Sequence, residues 1–111
     1  MSKNYRKYKR VKPSVKIDMY DIIQSKALGE VLNISSGGAL IMTKLEISPG
    51  EMFQTEWQIS ARGMKSIAIG LECLWVDIQH SGHRFCGMHI IDISQDDLKI
   101  LERIIAQSKE I

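Results

Sequence analysis

Apolar and polar residues alternate along most of this chain with a period of two, the signature of half-buried strands. The clearest case is Phe53, Thr55, Trp57 and Ile59, interleaved with Gln54, Glu56, Gln58 and Ser60. Val15, Ile17 and Met19 are separated in the same way by Lys16, Asp18 and Tyr20, and Leu28–Ile34, Ala39–Thr43 and Phe85–Ile93 read as further strands. Ile67 to Ile78 makes a long sixth. Its apolar residues run on one parity through Ile67, Ile69, Leu71, Cys73 and Trp75, then on the other through Leu74, Val76 and Ile78. That switch predicts a bulge or a change of packing partner, as closed sheets require. Turns fall at Ser35-Ser36-Gly37-Gly38, Ser48-Pro49-Gly50, Arg62-Gly63 and Ser81-Gly82.

At residue 94 the period changes. Ser94 has the character of an N-cap with Asp97 three residues on, and Leu98, Leu101, Ile104 and Ile105 form one apolar stripe, which predicts a helix over about 94–109. Six short strands at hairpin spacing and one late helix predict an all-β fold with a C-terminal helix. The architecture expected is a six-stranded antiparallel β-barrel, with the helix covering an open end or edge.

Composition narrows the class. A chain of 111 residues, 44% hydrophobic and 25% charged, makes one domain with its own core. No apolar run reaches membrane-spanning length, and the basic N-terminus has no apolar stretch behind it, so a signal peptide is not expected and a cytoplasmic location is. Cys73 and Cys86 are too few for a disulfide framework and read as small buried hydrophobes. Residues 1–16 hold seven positive side chains and no acid, leaving eight positives against thirteen acids in the rest, a balance of −5. Residues 1–13 show no apolar periodicity and end at Pro13, so they read as a basic arm, with 14–111 as the barrel and helix. A basic arm on an acidic body suits a small anionic ligand better than a long nucleic acid, which the body would repel.

No nucleophile elbow, P-loop or placed carboxylate pair is present, so catalysis is not expected. His80, His83, His89, Cys73 and Cys86 match no standard metal-ligand spacing. The arm offers more. Arg6 and Arg10 lie four residues apart, and in an extended chain they point the same way. A guanidinium fork matches the O6 and N7 acceptors of guanine, a pairing that contributes ~1–3 kcal/mol of discrimination. Near the end of the second strand, the Asn33 amide can accept from guanine N1–H or its amine, and the Ser35 hydroxyl can serve phosphate or base. Gly38 permits close backbone approach or a positive φ.

Arg6-x-x-x-Arg10 and Asn33-x-Ser35-x-x-Gly38 together resemble the two signature motifs of PilZ domains, bacterial receptors for cyclic di-GMP. Glu72-Cys73-Leu74-Trp75-Val76 and Arg84-Phe85-Cys86-Gly87-Met88-His89 resemble that family's later strands, and the likeness runs over roughly residues 5–106. It implies a six-stranded barrel, cyclic di-GMP held between arm and barrel, no cofactor or metal, and no catalysis. Arg6 and Arg10 would grip guanine and phosphate, Asn33 and Ser35 would meet the guanine edge, and Gly38 would shape the turn, with Ser36 and Gly37 as further ligand-binding candidates. Trp75 is a further candidate, to stack on a guanine or to fill the barrel. The resemblance also implies a stand-alone adaptor whose arm orders on ligand binding and which signals to an effector protein in motility, biofilm or exopolysaccharide control. Two other readings stay open: a degenerate PilZ module that binds only protein, and a barrel for single-stranded nucleic acid.

Overall fold

The computed structural model describes residues 9–61, 63 and 66–111. Along the chain run β1 (Val11–Lys12), β2 (Ile17–Asp21), β3 (Lys26–Ile34), β4 (Gly38–Thr43), β5 (Met52–Ile59), β6 (Ile67–Ile78), β7 (Arg84–Ile93), α1 (Gln95–Ala106) and β8 (Lys109–Glu110). All pairings are antiparallel. The sheet order is β2-β5-β6-β7-β4-β3-β1-β8, and a further pairing of β2 with β3 closes the six long strands into a barrel. Closure removes the open edges that a six-stranded sheet would otherwise expose.

The barrel is filled from the inward parity of each strand. Ile17, Met19, Val31, Ile34, Ile41, Trp57, Ile67, Ile69, Leu71 and Cys86 are all buried. Trp57 is fully enclosed, which its indole N–H tolerates because it donates to Thr55 Oγ1 at 3.1 Å, while that hydroxyl donates to the Ile69 carbonyl at 2.7 Å. The helix starts where its cap predicts: the Ser94 side chain accepts from the Asp97 N–H at 3.1 Å. Asp97 Oδ2 accepts in turn from the Ala68 N–H at 3.0 Å, fixing the first turn of α1 against the start of β6. Leu101 and Ile104 then join the barrel core.

The parity switch in β6 is a bulge. Cys73 pairs with Met88 and Trp75 with Gly87, so Leu74 is an extra residue on β6. A second bulge lies in β3, where Val31 pairs with Ile41 but Asn33 with Leu40, leaving Leu32 over. Two elements differ from the sequence reading. Val11 and Lys12 belong to the stretch read as arm, yet Val11 is completely buried and pairs with Ile34 and Glu110. The helix ends at Ala106, and Lys109–Glu110 leave it to pair with β1. One apolar residue makes no periodicity, so neither short strand has a pattern to read.

Candidate functional site

The turn Ser35–Gly37 joins β3 to β4 and is held by its own backbone. The Ser35 N–H donates to the Gly38 carbonyl at 2.9 Å, and the Ile90 N–H of β7 donates to the Gly37 carbonyl at 2.9 Å. Ser35 is buried, and its Oγ accepts from the Gly37 N–H at 3.2 Å, so this hydroxyl braces the turn before it meets anything else. Gly38 does not adopt the left-handed conformation that its place in a turn allowed for. Its need is space: a Cβ there would lie 2.2 Å from the Met88 carbonyl oxygen, a backbone atom of the neighbouring strand.

The bulge at Leu32 decides where Asn33 points. Val31 and Ile34 are both buried although they lie three apart, so Asn33 is turned to the outer face and is half-buried there. The bulge at Leu74 does the same for Trp75, which is 46% exposed. These two residues end one transverse row. Asn33 lies opposite Leu40, Leu40 opposite Gly87, and Gly87 opposite Trp75, across β3, β4, β7 and β6. Residues paired in this way share a face. Three strand spacings of about 4.8 Å put the two ends roughly 14 Å apart as measured along the curved wall.

Trp75 lies flat on the wall. A Cβ at Gly87 would stand 2.2 Å from Trp75 Nε1 and 2.4 Å from Cε2, so the missing side chain is the notch in which the indole rests. Trp75 therefore does not fill the barrel; Trp57 does. Leu40 and Gly87 complete the row, and neither is a site candidate from the sequence alone. The signal that finds them is the register counted across both bulges.

The arm's base lies at the Asn33 end. Val11 pairs with Ile34, and the antiparallel direction carries the preceding residue, Arg10, toward Ser35. The Arg10 side chain is exposed, and its carbonyl accepts from the Ile111 N–H at 3.0 Å. Arg6 lies outside the described residues. Beneath the row, Cys73 and Cys86 are buried on adjacent strands. Loss of solvent raises both thiols, and with Cys73 nearby Cys86 is pushed up to about 11, so both remain protonated at neutral pH. His83 shares a hydrogen bond of 2.8 Å with Ser81 at the β6–β7 tip. Among the described residues no three His, Cys, Asp or Glu side chains converge as a metal site, and no helix is long and apolar enough to cross a membrane.

The profile of one family, described as PilZ domain, matches residues 4–107. Among solved structures the fold is similar to MrkH of K. pneumonia in its complex with c-di-GMP, at a TM-score of 0.76 and 16% identity, over 95% of this chain and 52% of that one. It is similar to the Bacillus subtilis inhibitor of motility MotI, at a TM-score of 0.73 and 16% identity, over 95% of this chain and 51% of that one. The PilZ domain of Escherichia coli YcgR with c-di-GMP gives a TM-score of 0.71 at 15% identity, over 95% and 92% of the two chains. This chain thus spans about half the length of MrkH and MotI and nearly all of the isolated YcgR domain. At such identities the likeness is one of fold. No match is found among curated protein sequences.

Proposed function

The chain belongs to the PilZ domain family, and from that premise we propose that it is a receptor for cyclic di-GMP which passes the ligand's arrival to a partner protein. The observation that carries this reading is the pairing of Val11 with Ile34, which sets the exposed Arg10 beside the turn bearing Asn33, Ser35 and Gly38. A cyclic dinucleotide has two phosphates and two purines, and the site holds a matching set of groups. Arg10, with Arg6 from the sequence motif, takes phosphate and the O6/N7 edge of a guanine. Asn33 accepts from that base's N1–H or amine. Ser35, Ser36 and Gly37 line the turn. Trp75, at the other end of the row, stacks on a guanine, an interaction of ~1–3 kcal/mol per base.

The role is binding rather than catalysis, and the solved relatives in complex with c-di-GMP support the ligand. Ordering the arm costs about 1–2 kcal/mol per residue fixed, which contacts from the two arginines to a dianion must exceed. Val11 is already seated, so the residues that ligand must order are those before Arg10. A swing of that arm changes the surface offered to an effector protein in the cytoplasm.

Calorimetry with cyclic di-GMP tests the reading. The unaltered chain binds, and Arg10→Ala abolishes binding while leaving the unfolding temperature unchanged. Equal affinity in the two proteins would end the proposal. Binding of oligonucleotides with a steep salt dependence and no preference for the cyclic dinucleotide would support the nucleic-acid reading instead.

A further inference from the structure

The segment after α1 is tied to the base of the arm. Lys109 pairs with Lys12 and Glu110 with Val11, and the Ile111 N–H donates to the Arg10 carbonyl at 3.0 Å. One residue earlier, Ser108 Oγ accepts from the Ser14 N–H at 3.1 Å and donates to the Ile104 carbonyl at 2.6 Å. Ile104 is a core residue, so this hydroxyl fastens the turn after β1 to the last turn of the helix and through it to the barrel.

β1 is two residues long and meets β3 at a single register pair, Val11 with Ile34. Burial of Val11 fixes its position but not the direction in which the chain leaves it. That direction decides whether Arg10 faces the Asn33 turn. β8 supplies the other edge: with β3 on one side and β8 on the other, the backbone is held up to the Arg10 carbonyl while the guanidinium remains exposed. A residue held in this way has lost its backbone freedom before the ligand arrives, which spares the ligand a cost worth about tenfold in affinity per residue.

We infer that β8 positions Arg10 for the ligand, and that occupancy of the site is reported at Lys109–Ile111. The inference rests on the receptor reading above. Coupling of this kind is reciprocal: whatever the β8 attachment adds to ligand affinity, bound ligand adds to the β8 attachment. β8 is also the last strand in the sheet order, and its residues are exposed. A change in its attachment is therefore presented on the outside of the molecule, almost a hundred residues along the chain from the arginine it serves.

The test removes one donor. Ile111→Pro deletes the N–H that meets the Arg10 carbonyl, whereas Ile111→Val keeps it; the side chain is 60% exposed, so the core is untouched by either. In calorimetry with cyclic di-GMP on the full chain, Ile111→Pro loses about threefold to tenfold in affinity and Ile111→Val retains the unaltered value. In the unaltered chain, ligand slows hydrogen exchange at the Ile111 amide. Equal affinity of the two variants, or exchange at Ile111 unmoved by ligand, overturns the inference. The two readings fail separately. If the unaltered chain binds no cyclic di-GMP, the receptor reading falls; if it binds and Ile111→Pro binds as well, that reading stands and the role of β8 falls.

Discussion

Trp57 and Trp75 are the chain's two tryptophans, and they sit on strands that pair with each other, yet one is fully enclosed and the other is 46% exposed. The residue type does not explain the difference. Strand phase does. In β5 the inward parity runs without interruption through Thr55 and Trp57, so the indole enters the core and finds a hydroxyl for its N–H. In β6 Trp75 stands on the same parity as the buried Ile67, Ile69, Leu71 and Cys73, but the extra residue Leu74 turns it out onto a glycine. The same side chain becomes packing in one place and a presented ring in the other.

Three substitutions test that contrast, the largest effect first. Trp57→Ala empties the barrel's centre and removes the N–H that meets Thr55 Oγ1, costing about 3–5 kcal/mol of stability by denaturant unfolding. A loss below about 1 kcal/mol would mean that Trp57 is not the core residue described here. Gly87→Ala inserts a methyl where the Trp75 ring lies, at a cost of about 1–3 kcal/mol, moderated because the exposed ring can swing away from the wall. By NMR the Trp75 indole N–H resonance moves and that of Trp57 stays; if both move, the notch serves the fold rather than one ring. Trp75→Ala changes stability by no more than about 0.5 kcal/mol, as for an exposed side chain. Its effect falls on cyclic di-GMP, with affinity weaker by about tenfold or more. Destabilisation comparable with that of Trp57→Ala would erase the contrast.

The barrel was legible because its evidence is repeated. Four alternating positions in β5 and four in β6 each vote for the same face, and the parity switch near Leu74 announces the bulge before any register is known. The turn between β3 and β4 was legible for another reason: Asn33, Ser35 and Gly38 stand at the spacing of a motif that resembles the PilZ signature. What each does locally was not. Gly38 reads as a turn glycine, and its actual constraint is a carbonyl on a strand fifty residues away. Ser35 reads as a ligand group, and it also braces its own turn. β1 and β8 were invisible, since two residues carry no period and their pairing joins opposite ends of the sequence. Leu40 and Gly87 have neutral identities and acquire meaning only from what lies opposite.

The spare residue at Leu32 sets the reading frame of the barrel wall. A chain lacking that one residue would still spell Arg-x-x-x-Arg and Asn-x-Ser-x-x-Gly, and any search by motif would count it as intact. Its asparagine would also keep its outward place, because Val31, the asparagine and Ile34 would then alternate in, out and in; the bulge is what lets β3 carry one more residue without reversing that face. For this fold, then, a one-residue gap at Leu32 is one the motif absorbs, since the bulge leaves together with the residue.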